Sequence, residues 1–296
     1  MARSVALATP RTRVLDFAEL TKPRITFMVV VTTAAGYLMG AQGHASGLTL
    51  LHTIVGTALV ASAASALNQW MERDTDRLME RTQNRPLPAG RLEPAVVLVF
   101  GISVGVFGIT YLSRWVNGLT AGLGVGTLLL YLLAYTPMKR VSSLCTIVGA
   151  VPGALPPVMG WAAARGDLSV GAWVLFAVLF LWQIPHFLAI AWMYREEYRR
   201  GGQPMLPVLD REGVRTGRQI VLYCLALVPV SLLPTVIGLT GSIYFVGALL
   251  LGLLYLAAGA HAATRRTTDS ARTLLRVSVV YLPLLLGLMA ASKGVP

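Results

Sequence analysis

The chain has 296 residues, of which 55% are hydrophobic and only 13% charged, whereas about a quarter of an ordinary soluble domain is charged. Its formal charge of +12 comes without an RNA- or DNA-binding signature, so an anionic membrane leaflet or an anionic substrate, not nucleic acid, accounts for the basic excess. The two cysteines, Cys145 and Cys224, stand alone in apolar segments with no CxxC spacing, which excludes a disulfide framework or zinc site and leaves them as packing residues.

Residues 1–22 read as a cytoplasmic tail with Arg3, Arg11 and Arg13 ahead of any acid. The tail meets the pattern of a mitochondrial presequence only in part, being short and without an amphipathic stripe. A bacterial inner membrane is therefore the expected location, with the first hydrophobic segment uncleaved. Windows of about 20 apolar residues recur at 23–40, 48–68, 94–112, 119–135, 143–163, 170–192, 220–239, 242–262 and 274–290. Such uniform runs are helices, because barrel strands would alternate over about 10 residues. The predicted fold is an all-α polytopic membrane protein, nine transmembrane helices in a single domain over 23–296, embedded in the lipid bilayer. A cytoplasmic N-terminus and an external C-terminus place every Lys and Arg inside except Arg114, Arg165 and Lys293, and every acid inside except Asp167, as the positive-inside rule demands. Two internal connections, 69–93 and 193–219, are long and follow the second and sixth helices, while shorter basic ones follow the fourth and eighth. This spacing hints at a four-helix duplication plus a ninth helix, without a sequence repeat. The GLGVG run at 122–126 lies inside a hydrophobic span with no preceding strand, so close helix packing is expected of it rather than nucleotide binding.

The segment 68–92, NQWMERDTDRLMERTQNRPLPAGRL, is a polar island between apolar spans. Read as a helix, Asn68, Glu72, Asp76 and Glu80 fall at steps of four on one face, and Arg73, Arg77 and Arg81 on the neighbouring stripe. A solvated helix laced by pairs such as Arg73 with Asp76 would gain only about 0.2–0.5 kcal/mol per pair. It would also leave Glu72 with Asp76, and Arg73 with Arg77, in like-charge repulsion. Mg²⁺ bridges such carboxylates while taking phosphate oxygens, and arginines neutralise the rest of a polyanion. Asp74 lies about 200° around from Glu72 and is off that face. The RPLPAG run at 85–90 is expected to terminate the helix.

The spacing of Asn68, Glu72 and Asp76 resembles the aspartate-rich first motif of UbiA-type intramembrane prenyltransferases, and the fuller string through RPLPAG resembles that of the protoheme IX farnesyltransferases, or heme O synthases. YTPMKR at 135–140, GALPPVMGW at 153–161, the segment WQIPHFLAIAWMYREEYRRGGQPMLP at 182–207 and YLPLLL at 281–286 extend the resemblance over most of the chain from Pro23. It implies that Asn68, Glu72 and Asp76 coordinate Mg²⁺ on a diphosphate, with Arg77, Arg81 and Arg85, or Lys139 and Arg140, as candidate phosphate clamps and Arg73 and Tyr135 beside them. Glu72 stands where the superfamily usually has aspartate. The implied substrates are farnesyl diphosphate and heme B, and the product would pass to a heme A synthase or to terminal oxidase assembly.

A second acidic motif of the wider superfamily would align with YREEY, where Tyr194 and Tyr198 replace carboxylates and Glu196 or Glu197 is left to substitute. Heme O synthases are similar in lacking that pair, which favours them over quinone-directed relatives. Read alone, Arg195, Arg199 and Arg200 suit a juxtamembrane loop on anionic lipid, although Glu196 and Glu197 oppose it. His186, inside a hydrophobic span, is either a packed, hydrogen-bonded residue or, given the resemblance, an iron ligand or acceptor-positioning group. His44, His52 and His261 receive no role. Trp70, Tyr135, Trp161, Trp182 and Tyr194 are interface aromatics by default, and those facing a cavity would stabilise an allylic cation.

Prenyl transfer requires a diphosphate neutralised well enough to leave and an apolar pocket around the resulting cation. In the reaction the resemblance implies, the farnesyl cation attacks a vinyl group of heme B and water adds at the adjacent carbon. The competing readings are an aromatic or quinone-precursor prenyltransferase, a CDP-alcohol phosphotransferase, whose DGxxAR run is absent, and a transporter, whose charges would sit near mid-membrane on broken helices.

Overall fold

The structure is a computed structural model that describes residues 10–41, 43 and 45–293. Arg3 and His44 lie outside the described residues. Nine helices among those residues are long and apolar enough to cross a membrane: α2 (Pro23–Ala41), α3 (Gly47–Asp76), α4 (Pro94–Trp115), a composite span over Gly118–Met138, α7 (Cys145–Arg165), α8 (Val170–Met193), α11 (Val214–Val236), α12 (Ser242–Arg265) and α13 (Thr268–Ala291). The protein is a multi-pass, all-α membrane protein. Short helices α1 (Pro10–Leu20), α9 (Arg195–Arg200) and α10 (Leu206–Leu209) lie at one end of the bundle. Several spans run longer than their hydropathy windows, because a charged turn at a membrane boundary stays helical while it ends an apolar run. Thus α3 reaches Asp76, α11 begins at Val214 and α13 at Thr268.

The spans alternate in direction, so the ends of α3, the composite span and α8 meet the starts of α2, α4 and α7 at one pole. We call this the site pole. Helix α7 is the most enclosed span, packed against α2, α8 and the first helix of the composite span, α5 (Gly118–Leu129). It carries Pro152, Pro156 and Pro157 in its interior, each of which removes a helical hydrogen bond; the Gln183 amide of α8 donates to the Ala150 carbonyl there at 2.8 Å. Backbones touch between α2 and α7, where a Cβ on Gly36 would sit 2.0 Å from the Pro157 oxygen and one on Gly160 1.9 Å from the Thr33 oxygen. The packing expected of GLGVG is met at one glycine only: on α5, Gly124 is buried and a Cβ there would make ordinary contacts with Leu112, Met159 and Val60, whereas one at Gly122 or Gly126 would meet nothing.

The composite span explains itself at Pro137. Helix α5 gives way to a π turn over Leu130–Tyr135 and then to α6 (Thr136–Met138). Pro137 cannot donate back into the helix, and the register slips by one residue so that the Thr136 amide bonds the Tyr131 carbonyl. Turns of this kind recur at functional sites.

Candidate active site

The helical stripe of α3 carries its acids inward: Asn68, Glu72 and Asp76 are all buried, whereas Asp74 is exposed with its side chain 67% accessible, as its angular position requires. The row stops there. The helix ends at Asp76, nine residues before RPLPAG, because the Thr82 hydroxyl donates to the Asp76 carbonyl at 2.9 Å and Met79 and Leu87 turn into the interior. Glu80 and Arg81 therefore leave the stripe the sequence suggested. Glu80 instead pairs with Arg200 at 2.9 Å across the surface.

Each oxygen group of the row faces one cation from a different segment. Lys22 Nζ donates to Asn68 Oδ1 at 3.3 Å. Lys139 Nζ lies 2.9 Å from Glu72 Oε1 and 3.2 Å from Oε2, with hydrogen-bonding angles only to Oε2, so Oε1 is a buried oxygen that receives no hydrogen bond. Arg85 Nη1 donates to Asp76 Oδ2 at 2.7 Å. The sequence reading missed Lys22; its signal was the KP step opening the first span. Lys22 has φ of 46°, a left-handed backbone unusual for lysine and of a kind that clusters at functional sites. Burial, with Arg85 and Lys139 nearby, pulls its ammonium down to about 7. Burial pulls on Lys139 as well, but Tyr135 and Glu72 outweigh it and hold that ammonium well above its ordinary value; its Nζ sits 4.6 Å above the Tyr135 ring.

Thr136, also missed, orients Asn68. Its hydroxyl proton is committed to the Tyr131 carbonyl at 2.8 Å, so the oxygen can only accept, and it accepts from Asn68 Nδ2 at 3.1 Å. The amide is thereby fixed with Oδ1 towards Lys22. The loop carrying Arg85 is tied to α1 through Arg91, which reaches Asp16 at 2.7 Å and Glu19 at 2.6 Å, while Gln69 donates to the Leu20 carbonyl at 2.9 Å.

Other residues singled out in the sequence stand apart. Arg73 donates to the Trp70 carbonyl, Arg77 approaches the exposed Asp74 at 3.7 Å, and Arg140 braces the Met71 carbonyl at 3.1 Å. On the second segment, the Arg81 guanidinium lies 5.1 Å over the Tyr194 ring and 5.9 Å over Tyr198, and the Arg81 amide donates to Glu197 at 2.9 Å. Glu196 is exposed and pairs with Arg199. The YREEY helix thus receives an arginine where a second acidic motif would offer oxygen ligands, and no group of three His, Cys, Asp or Glu suited to a metal occurs among the described residues.

His186 belongs to a separate cluster between α8 and α13. Its Nδ1 is 2.7 Å from Ser278 Oγ, Trp182 stacks on its ring at 5.1 Å, and Trp182 Nε1 donates to the Ser278 carbonyl. The Ser278 hydroxyl donates to Leu275 O at 2.6 Å, so it must accept from His186. That fixes the proton on Nδ1 and leaves Nε2 with its lone pair free.

A bundle with carboxylates and cations gathered at one pole is the architecture of the intramembrane prenyltransferases: residues 29–293 match the UbiA prenyltransferase family, and the chain belongs to that family. It is 52% identical, over 94% of its length and 98% of the relative's, to a protein from Solibacter usitatus (strain Ellin6076) named protoheme IX farnesyltransferase. It is 47% identical to the protein of that name from Myxococcus xanthus (strain DK1622), over 93% of this chain and 92% of the relative. Among solved structures, a digeranylgeranylglyceryl phosphate synthase superposes with a TM-score of 0.77 at 16% identity, covering 95% of this chain and 98% of its own. A UbiA homologue from Archaeoglobus fulgidus bound to GPP and Mg²⁺ gives 0.68 at 14% identity over 93% and 99%. At these identities the structures speak for the fold.

Proposed function

We propose that this prenyltransferase moves a farnesyl group from farnesyl diphosphate to a vinyl side chain of heme B, with addition of water, giving heme O and diphosphate. The observation that carries the reading is the row Asn68, Glu72 and Asp76, each facing its own cation. Names of the curated relatives support the substrates, and the tyrosines of YREEY favour heme over a quinone precursor.

The donor set fits Mg²⁺: hard oxygens from two carboxylates and an amide, with Glu72 Oε1 free of hydrogen bonds, are what that ion takes alongside phosphate. Asn68, Glu72 and Asp76 would hold it, and when bound it supplies charge neutralisation of the leaving group. Lys22, Lys139 and Arg85 move from the acidic row to the diphosphate oxygens and stabilise the charge that develops as the allylic C–O bond breaks. Arg81 on its tyrosine platform reaches the same pole, while Arg73 and Arg140 are left to hold backbone carbonyls and Arg77 faces the exposed Asp74. Tyr131 and Tyr135, 5.1 Å apart, present ring faces towards the cation. His186, its Nε2 lone pair free, takes the heme iron or orients the macrocycle. The site pole faces the cytoplasm, the location is a bacterial inner membrane, and the product passes to a heme A synthase or terminal oxidase assembly.

The test uses purified protein in detergent with heme B, Mg²⁺ and labelled farnesyl diphosphate. Label appearing in a porphyrin, and lost with chelator, is the expected result. Diphosphate release into water or a phenolic acceptor with no porphyrin product would overturn the acceptor assignment, and turnover indifferent to chelator would remove the metal.

A further inference from the structure

Helix α13 carries one charge that the rest of the fold leaves alone. Ser278, Tyr281, Leu282 and Leu285 face the bundle interior, so the opposite face, Arg276, Val280 and Leu284, is turned to the bilayer. Arg276 sits eight residues beyond Thr268, the start of α13, which is about 12 Å along the axis. Arg272, one turn earlier, holds Asp269 at 2.6 Å. No ion pair or side-chain hydrogen bond to Arg276 occurs among the described residues. A guanidinium on the lipid face below the interface is costly unless it snorkels outward or meets an anion.

Arg276 also closes one end of a groove of about 230 Å³ between α12 and α13, otherwise lined by Leu251, Leu254, Val277, Val280, Tyr281 and Leu284. Apart from Arg276 its walls are aliphatic or aromatic, the Tyr281 hydroxyl itself being buried away from the groove. On α13 the lining follows two adjacent i, i+4 rows, Arg276, Val280, Leu284 and Val277, Tyr281, with the charged residue at the end nearer the site pole. An apolar strip running along the helix from a cation fits a hydrocarbon chain beneath an anionic head.

We infer that the groove between α12 and α13 binds an anionic glycerophospholipid, with Arg276 on its phosphate and one acyl chain along Leu254, Val280 and Leu284. The site is separate from the carboxylate row and does not depend on which prenyl acceptor the enzyme uses. An attraction of about 1 kcal/mol per arginine near a membrane surface corresponds to a preference of about fivefold for phosphatidylglycerol over phosphatidylcholine.

Native mass spectrometry of the full chain in detergent, titrated with each lipid, measures that preference. Arg276→Gln is expected to bring the ratio to one while leaving turnover unchanged, and Arg276→Lys to keep most of it, which separates loss of charge from loss of fold. Equal binding of the two lipids by the unaltered protein, or a preference that survives Arg276→Gln, overturns the assignment. Displacement of phosphatidylglycerol by heme B at equal concentration would give the groove to the acceptor and overturn it as well.

Discussion

The two poles of this bundle handle charge in opposite ways. At the pole away from the acidic row, the ion pair is local: Arg165 meets Asp167 at 3.1 Å, and Asp167, held to about 2 by the Ser169 backbone and hydroxyl, closes the short turn between α7 and α8. The longer links there, Lys293 to the Leu38 carbonyl and Asn117 to the Ala162 carbonyl, end on neutral backbone. At the site pole, partners come from 46, 67, 75 and 120 residues apart: Lys22 with Asn68, Lys139 with Glu72, Arg91 with Asp16, and Arg200 with Glu80. Local pairs cap helices, whereas distant ones exist only after the whole bundle has assembled. Convergence of that kind is what the proposed site requires.

The sharpest way to break the contrast is to remove one cation at each pole. Lys139→Met strands a buried carboxylate and should cost about 3–5 kcal/mol, seen as a lower thermal midpoint in detergent and recovered by adding Glu72→Gln. Arg165→Ala, at a half-exposed pair, should cost no more than about 1 kcal/mol. Equal losses would mean that convergence carries no energetic weight. Next in size, Asp76→Asn should lower kcat on the order of 10²–10³-fold in a protein that still inserts and folds, with a lower midpoint because Arg85 loses its buried partner; normal turnover would take Asp76 out of the site. Ser278→Ala frees the His186 ring and should weaken heme binding about 10–100-fold, as should His186→Ala, with diphosphate affinity unaltered; equal effects on both ligands would place His186 elsewhere. The smallest change is expected from Arg200→Ala, with the thermal midpoint scarcely moved, because both partners are solvated and an exposed pair contributes little. A large loss of turnover there would show that the surface link from α9 to the loop after α3 holds the site together.

Much of this was legible in the residues. The nine spans follow from run length alone, since lipid leaves the backbone no other choice, and the acidic row follows from steps of four. The point where α3 stops did not, because Thr82, Met79 and Leu87 end it through tertiary contacts, so Glu80 was assigned to a stripe it never joins. The choice among the arginines was also hidden: Arg73, Arg77 and Arg85 look alike in sequence, and only the loop tied down by Asp16 and Glu19 turns Arg85 inward. Lys22 escaped because one lysine before a proline has no periodicity. Thr136 escaped because its role rests on a π turn whose cause, Pro137, reads as an ordinary helix end.

The geometry around Thr136 also sets what position 68 can be. A hydroxyl whose only hydrogen is spent elsewhere shows Asn68 a bare lone pair, while the ammonium on the far side demands an acceptor. One residue must therefore give on one flank and receive on the other. Aspartate, the stronger ligand for a divalent ion, would press oxygen against oxygen at Thr136, so added negative charge at this point should cost the enzyme more than it contributes.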